Sequence, residues 1–511
     1  MNKEMAEVLV RVGPDAPMGK LMRRYWVPVL SSWEIPEPDC PQVRVKILGE
    51  NLLAFRDSEG KPGLVDEHCS HRGASLFYGR NEEGGLRCSY HGWKFDRTGQ
   101  CVELPSVPAL APRMSITAYP CIEKGGLVWA YMGPPGEQPP PPGLEWTGIP
   151  DSHRYVSKRL QECSWLQAME GGIDTTHASW VHRYELEKDP MHMHALANKY
   201  IKADRNAVFD VDDMPHGLSI YGRRNGEPDS YYWRVTQYIF PWFTLIPPFG
   251  PHPLGGHVWV PIDDENCWAW SINFYPDKPL SAEERQDLVD GKGIHVKYEA
   301  GGTFRPAANR DNDYHVDRKA QQEKRSFSGV EGFSVQDASL QESMGRIQDH
   351  SKEHLVSTDK PISMARRMLF NAALNLSQGI EPPALDEAVQ RVRAASVLLD
   401  KSASVTEWAK DVLYDELGQP VFSLCRGAQS QRRLPAPHGF RPHRRRTGCQ
   451  RSPCGSSCRW WAARTTSSRG WSPPGSRRRS ASRCWSRTRG APAATSARTS
   501  LRSPRRTATR C

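Results

Sequence analysis

Two short segments, each offering one cysteine and one histidine, constrain this chain more than any other feature of its sequence. Cys69-Ser-His71 is followed after 16 residues by Cys88-Ser-Tyr-His91. Both side-chain types bind transition metals, so the segments predict one metal site built from two loops. Zinc is one alternative, although zinc fingers tend to pair Cys with Cys and His with His. Mixed pairs favour a two-iron, two-sulfur cluster, in which thiolates hold one iron and imidazoles hold the other.

A second candidate metal site follows in Asp174-Thr-Thr-His177-Ala-Ser-Trp-Val-His182. Two histidines five residues apart differ by about 140° around a regular helix. We therefore expect either a distorted helix or a His182 that lies beyond the helix end. Two histidines and one carboxylate are the ligands of non-haem iron(II), which leaves positions open for O2. A lone pair of histidines would be assigned to ordinary hydrogen bonding, but the upstream cluster motif favours metal binding.

Together these segments resemble the Rieske non-haem iron oxygenases. Their C-x-H and C-x2-H pattern is matched at all four positions, and their D-x2-H-x4-H motif is matched in the second segment. The cluster pattern also occurs in stand-alone ferredoxins, so only the second motif indicates oxygenation. The similarity runs from about Met18 to Leu399. Residues 309–314 and 341–345 look most like the phthalate dioxygenase branch, whose members act on aromatic carboxylates.

The resemblance implies the cofactors and the residues that hold them. One Rieske-type 2Fe–2S cluster would be bound by Cys69, His71, Cys88 and His91. One mononuclear Fe(II) would be bound by His177, His182 and a third ligand, for which a D-x4-E pattern points to Asp337. Asp349 and Asp359 remain competitors for that position. Asp174 would be the catalytic residue that links the two metal centres across a subunit interface.

The function implied is that of a terminal oxygenase that uses O2 to cis-dihydroxylate an aromatic carboxylate such as a phthalate, halobenzoate or phenoxybenzoate. Electrons would come from a separate NAD(P)H-dependent reductase, directly or through a ferredoxin, and the assembly would be a homotrimer or stacked trimers. The alternatives are an O- or N-demethylating monooxygenase and a Rieske electron carrier, although a carrier would need far fewer residues. A zinc-binding regulatory protein with a nucleic-acid-binding tail is a further alternative.

The substrate pocket has weaker candidates. An acid substrate requires local positive charge, and the candidate arginines are Arg205, Arg223, Arg224 and Arg234. Aromatic residues in strand-like runs are candidate pocket walls, although such residues more often belong to a core: Trp233, Tyr238, Phe240, Trp242 and Phe243.

The overall pattern predicts an α+β protein with three segments. Alternating apolar residues over 43–47 and an apolar run over 127–131 indicate an all-β Rieske domain with an N-terminal extension in residues 1–140. The proline-rich run Pro134–Pro142 cannot enter a helix or a central strand and marks its end. Residues 141–425 mix strands with helical patterns over 335–356, 363–377 and 384–399, which indicates an α+β catalytic domain. The resemblance implies that this domain is of the helix-grip type.

The composition changes abruptly after Cys425. Residues 426–511 contain 22 Arg and no Lys, Asp or Glu, so the net charge of +10 conceals a charge of −12 on residues 1–425. With few aliphatic side chains, this low-complexity tail is predicted to be disordered. A nucleic-acid-binding tail is one interpretation, but such tails usually mix Lys with Arg. We favour a frameshift product and expect no nucleic-acid partner.

The remaining cysteines and the hydropathy indicate the compartment. No run of about 18 apolar residues occurs, and the N-terminus does not resemble a signal peptide. We therefore expect a cytoplasmic protein without a membrane partner, in which metal ligation is favoured over disulfides. The other cysteines of the main body have no ligand-like spacing and are expected to be small buried hydrophobes: Cys40, Cys101, Cys121, Cys163 and Cys267.

Overall fold

The structure is a computed structural model that describes residues 1–414 and 422–423. The segment 426–511, for which the sequence predicts disorder, lies outside the described residues. Among the described helices, none combines the length and the apolar character needed to span a bilayer.

The first part of the chain is built from three small antiparallel sheets. Their eleven strands are β1 Trp26–Ser31, β2 Val43–Ile47, β3 Glu50–Arg56, β4 Pro62–Asp66, β5 Arg80–Glu82, β6 Gly85–Arg87, β7 Lys94–Asp96, β8 Cys101–Glu103, β9 Ala118–Tyr119, β10 Cys121–Lys124 and β11 Leu127–Tyr131. The sheet orders are β1-β11-β10, β2-β3-β4-β9 and β5-β6-β7-β8. The strands predicted from the apolar patterns over 43–47 and 127–131 are confirmed as β2 and β11.

The second part is dominated by one nine-stranded sheet. Its strands are β12 Arg154–Gln161, β13 Val208–Met214, β14 Gly217–Asn225, β15 Ser230–Ile239, β16 Phe243–Ile246, β17 Leu254–Pro261, β18 Cys267–Phe274, β19 Ala395–Asp400 and β20 Phe422–Ser423. The order is β12-β18-β17-β16-β15-β14-β13, with β19 paired to β15 and β20 paired in parallel to β19. All other pairs are antiparallel, which lets one face be covered by helices.

Nine α-helices lie in the described residues: α1 Lys3–Val10, α2 Pro17–Met22, α3 Trp165–Ile173, α4 Ala197–Ala203, α5 Ala282–Val289, α6 Arg318–Gln322, α7 Phe333–Ser343, α8 Lys360–Leu376 and α9 Val405–Leu413. The helix predicted over 363–377 is confirmed as α8, and the pattern over 335–356 yields α7 and a short 3-10 turn. The prediction of a helix over 384–399 is wrong. The end of this range is strand β19, because Trp233 of β15 pairs with Val397, and Val397 and Leu399 pack into one core while Leu398 packs into another.

Two hydrophobic cores organise the molecule. A small core of eleven buried residues, including Phe55, Leu76 and Phe95, lies among β3, β4 and the loops that carry the four cluster candidates. A larger core joins side chains of α1, α2, β1 and β11 to those of α3, α8 and the nine-stranded sheet. The N-terminal helices therefore pack against the second part of the chain and are continuous with its interior. The predicted α+β architecture is confirmed.

Candidate metal centres

The four cluster candidates lie at the tips of two loops with the same backbone geometry. In each loop the cysteine carbonyl accepts a hydrogen bond from a glycine four residues later, Gly73 or Gly92, at 2.9 Å. Both glycines have a positive φ, +73° and +78°, a conformation that side chains with a Cβ rarely adopt. The turn directs each cysteine inward and each histidine outward.

The side chains form a thiol pair and an imidazole pair. Cys69 and Cys88 are buried and in hydrogen-bonding contact, and burial raises the pKa of the Cys69 thiol to about 11. The rings of His71 and His91 are exposed, with centroids 4.5 Å apart, and Trp93 stacks on His71 at 4.7 Å. Two thiols on the inside and two imidazoles on the outside fit a cluster with thiolates on one iron and imidazoles on the other.

The second site begins where helix α3 ends. Asp174 is the C-terminal capping residue of α3, with an extended backbone, and its N–H donates to the Glu170 carbonyl at 3.1 Å. His177 starts a short 3-10 turn, and His182 lies beyond that turn. Both histidines therefore lie past the helix end, which is one of the two arrangements that their spacing predicts.

A carboxylate from α7 completes the group. His182 Nε2 lies 3.1 Å from Asp337 Oδ1, and His177 Nε2 lies 3.6 Å from the same oxygen. The ligand atoms of these three residues all lie within 4.8 Å of one another. Two imidazoles and one carboxylate on one side of a pocket fit a non-haem iron(II) site with open positions.

The far nitrogen of each imidazole is held by a second residue. His177 Nδ1 lies 3.4 Å from Asp174 Oδ2, and His182 Nδ1 hydrogen-bonds to Gln336 Oε1 at 2.8 Å. Such partners fix the tautomer that leaves Nε2 free to bind metal. The sequence analysis missed Gln336, and its position directly before Asp337 was the only signal.

The charges of the site are strongly coupled. Burial lowers the pKa of the His177 imidazole, but the hydrogen bond to Asp174 and the charge of Asp337 raise it to about 9. Burial raises the pKa of the Asp337 carboxyl, but His182 and His177 hold it well below its usual range. A metal dication would replace the imidazole protons, so metal affinity should fall as the pH is lowered.

The two competitors for the third ligand lie elsewhere. Asp349 caps a 3-10 turn, accepts hydrogen bonds from Ser351 and pairs with Lys352. Asp359 accepts a hydrogen bond from the Val356 N–H. Neither carboxylate belongs to the group of ligand atoms formed by His177, His182 and Asp337.

A pocket of about 620 Å³, including its open mouth, lies over the three ligands. Its apolar walls include Phe249, Trp259, Ile294 and Phe333. The five aromatic residues proposed from strand-like runs do not line it. Trp233 packs with β19 and α9, and the other four belong to the larger core. Wall residues from loops and from the start of α7 had no periodic signal in the sequence.

Of the four candidate arginines, only Arg234 lines the pocket. Its guanidinium lies 4.1 Å from the ring centroid of Phe249 and donates to Thr175 Oγ1 and to the Pro247 carbonyl. Arg224 is buried behind it, and burial together with the neighbouring Arg234 lowers the pKa of Arg224 to about 10. Arg205 and Arg223 instead lie over aromatic rings outside the pocket.

The sequence matches two family models. Residues 25–120 match the Rieske [2Fe-2S] domain, and residues 130–410 match a domain described as LigXa C-terminal domain like. The second model alone covers more than half of the chain.

Two curated proteins are similar over most of their length. The 3-chlorobenzoate-3,4-dioxygenase oxygenase subunit of Comamonas testosteroni is 38% identical over 75% of this chain and 91% of its own. The phthalate 4,5-dioxygenase oxygenase subunit of Pseudomonas putida is 36% identical over 73% of this chain and 86% of its own. Among solved structures, an NdmA variant of Pseudomonas putida CBB5 with caffeine is 15% identical, with a TM-score of 0.51 over 73% of this chain and 96% of that one, which shows a shared fold.

Proposed function

This chain belongs to the Rieske non-haem iron aromatic-ring oxygenases, and from that premise we propose that it is the terminal oxygenase for a small aromatic carboxylate. The enzyme carries one Rieske 2Fe–2S cluster and one mononuclear iron. The observation that carries the proposal is the convergence of His177, His182 and Asp337 in a pocket that also contains the buried cation Arg234.

We assign the ligands residue by residue. Cys69, His71, Cys88 and His91 hold the cluster, and their buried thiol pair and exposed imidazole pair support this assignment. His177, His182 and Asp337 hold the iron, supported by the distances between their ligand atoms. When bound, the two centres supply electrons and a coordination site for O2.

The residues around the iron ligands orient them. The Asp174 carboxylate accepts a hydrogen bond from the Nδ1–H of His177 and increases the basicity of that imidazole. Gln336 does the same for His182 without adding charge. Asp174 is the catalytic residue in this assignment, because its carboxylate reaches His177, the ligand through which an electron from a neighbouring cluster would pass to the iron.

The environment of Arg234 supports the proposal that the substrate is an acid. The side chain is almost fully buried, and none of the ion pairs among the described residues includes it. A buried cation without a carboxylate partner is costly unless a ligand supplies the negative charge. A substrate carboxylate against Arg234 would place the aromatic ring between Phe249 and the iron ligands.

The remaining assignments rest on the family. Both relatives are named as oxygenase subunits, so we propose a separate NAD(P)H-dependent reductase, used directly or through a ferredoxin. We propose a homotrimer, alone or stacked, in the cytoplasm. We also propose a cluster domain of residues 1–140 and a catalytic domain of residues 141–425, which places the boundary between β11 and β12.

The test combines metal analysis with product analysis. The purified enzyme should contain about three irons per chain and show Rieske-type absorption. With a reductase and ¹⁸O2 it should oxygenate at least one of phthalate, 3-chlorobenzoate and 3-phenoxybenzoate, and the products distinguish dihydroxylation from demethylation. His177→Ala should lose about one iron per chain and all oxygenation but keep the cluster absorption.

Two results would contradict this proposal. A colourless protein loaded with zinc would exclude the cluster assignment. A fully iron-loaded enzyme that oxygenates none of the acids, or His177→Ala with unchanged mononuclear iron, would exclude the active-site assignment.

A further inference from the structure

One histidine of the pocket wall, His192, is paired with a buried aspartate. His192 Nδ1 lies 3.0 Å from Asp189 Oδ1, and both side chains are largely buried. The His192 ring lines the same pocket as His182, Asp337 and Arg234. No role in metal binding falls to this pair, since the three ligand residues form a separate group.

The carboxylate of Asp189 is held from two directions. Its Oδ1 accepts a hydrogen bond from the Met191 N–H, and its Oδ2 accepts one from the Gly293 N–H, each at 2.8 Å. Burial raises the pKa of the Asp189 carboxyl, but His192 and these N–H groups hold it below its usual value. Asp189 is therefore an anion that can only accept hydrogen bonds, and it keeps the proton of the imidazole on Nδ1.

The imidazole ring is fixed by aromatic contacts as well. It stacks on Phe333 with a centroid distance of 4.1 Å and meets Phe249 edge-on at 4.9 Å. His182 lies on Phe333 too, at 4.7 Å, so one phenyl ring lies between His192 and an iron ligand. The aromatic contacts hold the plane of the His192 ring, and a flip that exchanged its two nitrogens would break the hydrogen bond to Asp189.

Arg234 and His192 are both in contact with Phe249, Arg234 over its face at 4.1 Å and His192 at its edge. The pocket thus offers two polar groups that contact the same phenyl ring. With Nδ1 hydrogen-bonded to Asp189, the remaining polar atom of the ring is Nε2. In the Nδ1–H tautomer that this contact favours, Nε2 carries a lone pair that accepts a hydrogen bond, and it has no proton to donate.

We infer that His192, oriented by Asp189, is a specificity-determining residue that accepts a hydrogen bond from a hydroxyl group on the substrate ring. The inference rests on the proposed function, since Arg234 is assigned to the carboxylate of the same molecule. The preferred substrates are then hydroxylated aromatic acids. If the Asp189–His192 pair had only a structural role, replacing either residue would weaken the binding of all ligands of the pocket equally.

The test measures binding without turnover. Iron-loaded enzyme is titrated anaerobically by calorimetry with benzoate, 3-hydroxybenzoate, 4-hydroxybenzoate and phthalate. At least one hydroxybenzoate should bind about tenfold more tightly than benzoate, as expected for one buried hydrogen bond. His192→Phe keeps the stacked ring, and Asp189→Asn keeps the shape but frees the tautomer. Both should abolish the hydroxyl preference while changing the Kd of benzoate by no more than about twofold.

Two further variants separate the possible outcomes. His252→Phe, at a neighbouring histidine that does not line this pocket, should keep the preference. Arg234→Gln should weaken the binding of all four acids.

If no acid binds the unmodified enzyme, the proposed function fails. If acids bind in an Arg234-dependent way but the hydroxyl preference is absent, or persists in His192→Phe, the inference alone fails. It also fails if phthalate, rather than a hydroxybenzoate, is the acid that depends on His192. If His192→Phe melts at a lower temperature than the unmodified enzyme, the same four binding constants are measured with His192→Asn. The inference then stands or fails on whether the hydroxyl preference is lost in that variant.

Discussion

At the scale of single residues, the iron site is defined by which nitrogen of each histidine is left free. Motif spacing predicted His177 and His182, and the family pattern predicted Asp337. Spacing could not predict Gln336, because a glutamine on a helix carries no metal-ligand signature. Its Nε2 also donates to the Val330 carbonyl at 2.8 Å, which fixes the amide so that Oε1 faces His182.

We predict that Gln336→Leu weakens Fe(II) binding at the mononuclear site by about 10- to 100-fold, the usual cost of removing a hydrogen-bond partner of a ligating histidine. The cluster absorption should not change, since its loops belong to the separate small core. Anaerobic Fe(II) titration of the metal-depleted site measures the effect. Gln336→Glu retains an acceptor and serves as the matched control. An Fe(II) affinity in Gln336→Leu equal to that of the unmodified enzyme would show that Gln336 is not needed.

Asp174→Asn tests the charge next to His177. The amide oxygen can still accept the Thr176 N–H, which Asp174 Oδ1 now accepts at 2.7 Å, so the loop should keep its shape. We predict that both metals are retained and that the reduced cluster is reoxidised at least about tenfold more slowly in a single turnover with substrate and O2. Stopped-flow absorption measures this rate. Reoxidation at the unmodified rate would show that the carboxylate is unimportant.

At the scale of elements, strands were predicted better than helix ends and loops. Apolar alternation located β2 and an apolar run located β11, because a sheet residue is buried or exposed with a period of two. The same reasoning misread β19 as part of a helix, since Ala, Val and Leu in a short buried run fit either structure. The turn after α3, where backbone hydrogen bonding ends at Asp174, depends on tertiary contacts that no local pattern reports.

One of those contacts is a buried ion-pair network between α3 and α8. Arg366 of α8 donates to both carboxylate oxygens of Glu170, at 2.6 and 2.8 Å, and also pairs with Glu353. Glu170 lies four residues before Asp174 and accepts its N–H through the helix backbone. The network therefore positions the end of the helix that leads into the iron site.

We predict that Arg366→Met lowers the free energy of unfolding by about 3–5 kcal/mol, because it leaves the buried Glu170 carboxylate without a cation and removes one of the cations that pair with Glu353. Arg367→Met, on the exposed side of the same helix, is the matched control and should have little effect. Thermal melting of both variants against the unmodified chain measures the difference. A melting temperature in Arg366→Met equal to that of the control would contradict the prediction.

The same network gives a pH dependence. Burial raises the pKa of the Glu353 carboxyl, but Arg366 more than offsets this and holds it at about 2. A folded-state pKa below the unfolded value of about 4.3 contributes stability above that pH, and the contribution is lost as the pH falls toward 2. The difference in melting temperature between Arg366→Met and the unmodified chain should therefore shrink as the pH is lowered from 6 to 3.

At the scale of the whole molecule, composition and motif order predicted the sequence of parts but not how they share an interior. The larger core contains Leu9 of α1, Trp129 of β11 and Leu369 of α8, residues from both sides of the proline-rich run. Apolar periodicity predicts that a side chain is buried, but it does not predict which other part of the chain that side chain packs against. The N-terminal helices were accordingly assigned to the first domain from their place in the chain alone.

The last prediction concerns the arginine-rich segment. The described sheet ends with β20, Phe422–Ser423, which adds to β19 in parallel, and the second family model ends at residue 410. Truncation after Cys425 keeps β20 and removes 22 arginines, leaving a chain with a net charge of −12. We predict unchanged iron content, assembly, turnover and melting temperature, because the removed segment offers neither ligand spacing nor enough apolar side chains to pack. Any nonspecific, salt-dependent attraction of the arginine-rich segment to nucleic acid should be absent from the truncated chain. Truncation after Tyr414 is the control: it also removes β20 and should melt at a lower temperature, since β19 loses a hydrogen-bonded neighbour. If the Cys425 truncation itself melts lower or loses turnover, the segment contributes to the fold and is not dispensable.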